Sequence, residues 1–415
     1  MKVLFVLAAG LLSASMASAD APAPPPKPTL PKGTPAEQVA ALTMQHEQAM
    51  NAFLKLYEAA RTEKEQESLE FLYPDSDSYA TLLVRIAEQN ATDPAAVDAM
   101  LWVVRNGKRT SGDAASPHAR AKEILVRDYL KHAKIGGLCM ELRRDARDAN
   151  SVQIIRRVLT DNPNKEAQAA AAFALAKALR TRAILARTLK NADPKLLARF
   201  EEGFGKDNLA DLRRGDAAAL EQEADELLER IINDEDYAAT SIRYRLSPEK
   251  LGYLADRELF EVRHLQPGMH APEIEGEDID GKPMKLSDFR GKVVLLDFWG
   301  HWCGPCQGLY PRIRSLVKKF EGKPFAVVGV NSDANRETIK DVIAIENITW
   351  RSFWDEGAQR GPIHSQWNIN GWPTMYLIDH KGTIVGRDAA DELIERTVQE
   401  AEAEPAAPAP THAPR

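Results

Sequence analysis

Apolar positions recur at helical spacing through the first two thirds of the chain. In residues 38–61, Val39, Leu42, Met50, Phe53, Leu54 and Tyr57 follow a 3.6-residue period, and residues 78–89 repeat the pattern. Thr92-Asp93-Pro94 sets a capping side chain before a proline suited to the first helical position, which opens a helix over 95–104. Ser116-Pro117 repeats that start signal before 119–132. Residues 151–159, the polar break Thr160-Asp161-Asn162-Pro163 and the alanine-rich stretch 165–181 form another helix–break–helix unit. His46 and His132 sit in this region without ligand spacing and are expected at the surface.

The pattern predicts an all-α domain over residues 34–265, made of helical hairpins stacked in a loose TPR-like manner. Near Leu265 the period changes. Short β-type runs at 293–299, 325–331, 374–378 and 383–385 alternate with helical stretches at 305–320, 335–346 and 389–400. That order predicts an α/β sandwich over residues 266–400. The fold class is therefore multidomain, all-α followed by α/β.

The two ends read differently. Lys2, the apolar run 3–12 and small residues closing on Ala17-Ser18-Ala19 have the layout of a cleaved signal peptide over 1–19. The run is shorter than the roughly 20 apolar residues a spanning helix needs. Export to an extracytoplasmic, periplasmic space is the expectation. Residues 20–33, rich in Pro and Ala, read as an extended linker, and 401–415 as a disordered tail.

The 415 residues carry a net charge of −7 and show no long basic run, which argues against nucleic acid as a partner. Only three cysteines are present, too few for a disulfide framework. Cys139 stands alone and is expected to be a small buried apolar residue.

Cys303 and Cys306 are paired as Cys303-Gly304-Pro305-Cys306 directly after the apolar strand 293–299. The first turn of a helix has unpaired N–H groups and a positive dipole end, which together stabilise a thiolate. Cys306, one turn on, is within disulfide reach, and Pro305 fits the first turn. Cys303 is thus expected to be the exposed attacking thiol and Cys306 the resolving one. A zinc site would need four ligands, and no second pair exists. A purely structural bridge remains the other reading, though closing so small a loop stabilises little. No cofactor is expected beyond the redox-active Cys303–Cys306 disulfide, and no metal. Asp297, in an otherwise apolar strand, is costly to bury unless it serves a purpose, such as a structural hydrogen bond. His301, beside Trp302, either favours the thiolate when protonated or is a solvated loop residue.

These residues carry a resemblance. Ala271-Pro272, the Asp280-Gly281-Lys282 turn, the Leu286 to Lys292 segment, Trp302 with the CGPC run, and 329–333 and 371–387 resemble the thioredoxin-like TlpA and ResA oxidoreductases, over about residues 267–400. The resemblance implies thiol–disulfide exchange with protein disulfide or dithiol substrates, and electrons supplied by a membrane thiol relay. It implies a cis Pro373 opposite the cysteines, a Trp372 backbone able to pair with an extended substrate, and Trp302 and Trp372 framing an apolar groove. It implies a proton-relay role for Asp297. Two positions depart from it: Gly329 stands where thioredoxins have a lysine, and Leu309 where ResA-like members have a glutamate. A peroxidase would use a lone cysteine after a Pro/Thr-bearing loop, unlike this chain. The remaining alternative is a binding protein whose helical domain is the functional part.

Overall fold

The computed structural model describes residues 25–60, 63–108, 115–244, 247–355 and 361–404. The signal-peptide reading, the first residues of the linker and all but the start of the tail fall outside them.

Helices dominate up to His264: α1 (Pro35–Ala59), α2 (Glu63–Glu67), α3 (Ser76–Gln89), α4 (Pro94–Asn106), α5 (Pro117–Asp128), α6 (Gly136–Leu142), α7 (Ala149–Asp161), α8 (Lys165–Lys190), α9 (Pro194–Phe204), α10 (Lys206–Arg214), α11 (Ala217–Asn233), α12 (Glu235–Ala239) and α13 (Leu251–His264). The capping signals act as written. Asp93 accepts the Ala95 N–H at 2.8 Å and Ser116 the Ala119 N–H at 3.2 Å, each ahead of a proline. Asn162, in the polar break, donates to the Leu130 and His132 carbonyls and accepts the Asn164 N–H.

Several sequence expectations are corrected here. A two-stranded hairpin, β1 (Ser241–Tyr244) with β2 (Ser247–Lys250), interrupts the helices. Helix α8 runs on to Lys190, because Ala183, Ala186 and Leu189 continue its buried face and no proline intervenes. His46 is buried on α1, with Ser76 at 2.9 Å and the rings of Tyr79 and Trp102 around it. His132 lies beyond the end of α5, half-buried, and accepts the Lys134 N–H.

By contacts the chain separates into two units. One holds the residues up to Arg144 together with Thr160–Ala167; the other holds Asp145–Leu159 and everything from Gln168 onward.

Within the second unit the C-terminal sheet has the order β7-β6-β5-β8-β9: Ser352–Trp354, Phe325–Asn331, Val293–Trp299, Thr374–Ile378 and Ile384–Arg387. The β5–β6 and β6–β7 pairs are parallel, while β5–β8 and β8–β9 are antiparallel. A short hairpin, β3 (Glu275–Glu277) with β4 (Pro283–Lys285), surrounds the Asp280-Gly281-Lys282 turn. Helices α14 (Gly304–Lys319), α15 (Arg336–Ile345) and α17 (Asp391–Ala403) supply Ile313, Ile339, Ile394 and Val398 to one face of the sheet. The other face is covered by Leu265, Ile274, Met284 and by Ile363, on the short helix α16 (Pro362–Gln366), with Trp367 just beyond it. Each fully buried aliphatic or aromatic side chain contributes about 1.5–3 kcal/mol, so two filled layers fix β5 at the centre.

Helix α13 is tied to this sheet. Phe260 packs against its outer layer, Asn368 donates to Glu261 at 2.5 Å, and Arg387 reaches Glu261 at 3.2 Å. Lys177 on α8 pairs with buried Glu258 at 2.6 Å.

Candidate active site

Every residue of β5 is buried. Val293, Leu295 and Trp299 face the α14 layer, and Val294, Leu296 and Phe298 the opposite one. Strand alternation therefore turns Asp297 toward α14. At the strand end, a Cβ on Gly300 would lie 2.5 Å from Trp302 Nε1. The glycine lets the Trp302 indole fold back over the chain, where its N–H donates to the Ser332 carbonyl at 3.3 Å.

Cys303 is the N-cap of α14. Its backbone is extended, and its Sγ accepts the Cys306 N–H at 3.2 Å. The two cysteines form a disulfide, with Cα atoms 5.3 Å apart. Pro305 occupies the first turn, where a missing N–H leaves no acceptor unserved. The sulfur of Cys303 thus sits where orphan N–H groups and the positive helix end favour negative charge.

The expectation of an exposed Cys303 is corrected: its side chain is 5% exposed and that of Cys306 2%. The bonded pair lies in the apolar cluster over β5, and Gly304 and Pro305 between the two cysteines are exposed. Trp302, 46% exposed, stands beside them with its ring 5.2 Å from that of Trp372 in an edge-to-face arrangement. The Trp372–Pro373 bond is cis, and both residues are half-buried. His301 is half-buried; its N–H donates to Asp333, and its Nδ1 is shielded without a partner among the described residues. It is not a simple solvated loop residue. Trp299 is a packing aromatic, with its N–H on Ser352.

Asp297 is 2% exposed, and its Oδ1 has no hydrogen-bond partner among the described residues. Burial pushes its carboxyl up to about 7. Two further features have no local sequence signal. Tyr310, one turn after Cys306, is buried, and its hydroxyl has no partner among the described residues; burial first, then the charges of Asp333 and Asp297, push that hydroxyl up. Asp355 and His364 form a fully buried pair, and the Trp372 N–H donates to His364 Nε2 at 3.1 Å. Cys139 is fully buried in α6, and burial pushes its thiol up to about 12. Among the described residues no group of three or more His, Cys, Asp or Glu is placed to hold a metal, and no helix is long and apolar enough to cross a membrane.

Comparison with known proteins bears on residues 267–387, which match the AhpC/TSA family. The thiol-disulfide oxidoreductase ResA of Bacillus cereus is 30% identical over 134 residues, 32% of this chain and 73% of that protein. The thioredoxin-like protein YneN of Bacillus subtilis is 34% identical over 29% of this chain and 69% of its own length. Among solved structures, the thioredoxin domain of a thiol-disulfide oxidoreductase from Bacteroides vulgatus is 29% identical, covering 32% of this chain and 96% of that one, at a TM-score of 0.30. Through its C-terminal third the chain belongs to the ResA-like thiol–disulfide oxidoreductases, a thioredoxin-like group of enzymes.

Proposed function

We propose that the chain is an extracytoplasmic dithiol reductase of protein disulfides. The observation that carries this reading is the Cys303–Cys306 disulfide at the start of α14, with the exposed Trp302 ring 5.2 Å from that of Trp372. In the reduced enzyme the Cys303 thiolate attacks one sulfur of a client disulfide. The client bond breaks, a Cys303–client mixed disulfide forms, and the released client sulfur takes up a proton. Cys306 then gives its proton to Asp297 and attacks Cys303. The second client sulfur leaves as a thiolate and takes up a proton, and two electrons have passed from the enzyme to the client. A membrane thiol relay outside the cytoplasm returns the disulfide to the dithiol. Trp302, Trp372 and the chain before Pro373 dock an extended client segment. No cofactor beyond the disulfide takes part.

Reduction of insulin with dithiothreitol as electron source tests this. Activity is expected in the full chain and absent from Cys303→Ser; equal rates in the two proteins overturn the reading.

A second reading, partner binding by the helical part, is favoured by exposed Leu54, Phe71 and Tyr73. Phe71→Ser with Tyr73→Ser separates the two: insulin reduction stays unchanged if these residues serve only a partner.

A further inference from the structure

The Asp355–His364 pair is used by nothing described so far, yet it ends on the edge of the docking surface. Asp355 follows β7 and is fully buried. Its two carboxylate oxygens accept the N–H groups of Ile363 at 2.8 Å and His364 at 2.9 Å. The same carboxylate contacts His364 Nδ1. A carboxylate accepts, so Nδ1 carries the hydrogen and Nε2 of the imidazole is left as an acceptor. The indole of Trp372 is a donor only, and its N–H meets that acceptor at 3.1 Å. The roles match along the whole chain of groups. The imidazole is also held edge-on by Phe298 of β5, with ring centres 5.3 Å apart.

The far end of the chain is the Trp372 ring, packed edge-to-face on exposed Trp302. An indole at a half-exposed edge is free to take other rotamers unless something fixes it, and fixing it beforehand removes an ordering cost from binding. We propose that His364, oriented by Asp355, is a positioning residue that sets the Trp372 indole and so determines affinity for protein disulfide clients, leaving the reactivity of the sulfurs unchanged. This rests on the docking role given above to Trp302 and Trp372. A role limited to holding the 361–372 segment would lower stability without separating binding from chemistry.

Full-length wild type, His364→Leu, His364→Gln and Trp372→Phe are compared in three measurements: KM and kcat for insulin, reduction of a small aromatic disulfide, and the indole N–H resonances. Glutamine keeps an acceptor near the position of Nε2, whereas leucine does not. Loss of one such hydrogen bond is expected to raise KM about five- to tenfold. His364→Leu should show that rise with kcat and small-disulfide reduction unchanged, Trp372→Phe should raise KM for insulin at least as much, and His364→Gln should stay within about threefold of wild type. The resonance lost in Trp372→Phe identifies the indole, and it should move in His364→Leu and stay in His364→Gln. Unchanged KM in His364→Leu, or equal loss in the leucine and glutamine variants, overturns the proposal while insulin reduction by wild type still stands. If Cys303→Ser reduces insulin as well as wild type does, the docking reading and this proposal both fall.

Discussion

Asp297 and Gly329 face each other across β5 and β6, and no side chain longer than hydrogen fits at 329. A Cβ there would lie 2.1 Å from Ser352 Oγ and 2.6 Å from Trp299 Nε1, the two groups that bond to one another beside it. The lysine that thioredoxins carry at this position is therefore excluded by packing. Asp297 has no cation from that neighbour to lower its carboxyl, and desolvation alone governs it.

The sign of the resulting pH dependence follows. The folded value, about 7, lies above the ordinary 3.8. Between these the folded chain holds a proton that the unfolded chain has lost, so stability falls as pH rises. The contribution is complete below about pH 4 and gone above about pH 7. A difference of about three in pKa corresponds to about 4 kcal/mol. Asp297→Asn is expected to raise the unfolding midpoint relative to wild type at pH 8 and not at pH 4, while slowing insulin reduction at neutral pH. Destabilisation at pH 8, or an unchanged rate, contradicts the relay.

Gly329→Ala tests the packing argument directly. The added methyl group must displace Ser352 or Trp299, and overpacking of this kind costs about 1–3 kcal/mol. A lower denaturant midpoint with unchanged slope is expected; no change would mean that the space exists.

Lys177→Met leaves Glu258, 5% exposed, without its cation. Removing one partner of a buried pair costs about 3–5 kcal/mol, reduced here because Lys177 is partly exposed. Adding Glu258→Gln should restore most of the loss. A double variant no better than the single one counts against a paired charge.

Cys139 is expected to stay unlabelled by iodoacetamide at pH 8 in the native, reduced protein, since burial both shields its thiol and pushes it up to about 12. Cys139→Ser should reduce insulin at the wild-type rate. Mass spectrometry of the labelled chain checks the first point and turbidity the second.

Cys306→Ser should hold the mixed disulfide because no second sulfur remains to release the client. Non-reducing gels of full-length protein incubated with oxidised client are expected to show a complex that dithiothreitol dissolves. Its absence, with Cys303 intact, removes Cys306 from the resolving role.

The central strand and the helix after it were legible because seven consecutive apolar-rich residues end in a capped cysteine pair with proline in the first turn. Strand β7 was not: three residues between Arg351 and Asp355 give no period to count. His46 is buried, not at the surface as expected, and its spacing carries the reason. It falls seven residues after Val39 and seven before Phe53, both buried, and so shares their stripe. The Asp355–His364–Trp372 connection was beyond local reading, since only folding brings a residue after β7 beside one before β8. Tyr310 lay on a predicted helix, but its burial against Trp299 at 5.8 Å depends on the sheet beneath.

The hydrogen bond from Asn368 to Glu261 has a practical bearing on how the enzyme is cut. Asn368 also accepts from Asn370, two residues short of Trp372. A fragment begun at Pro267, where the family match starts, would strip Phe260 from the sheet and remove Glu261, which accepts from Asn368 and pairs with Arg387. A catalytic fragment that behaves like the parent enzyme should start ahead of Leu251, so that the last helix before the sheet travels with it.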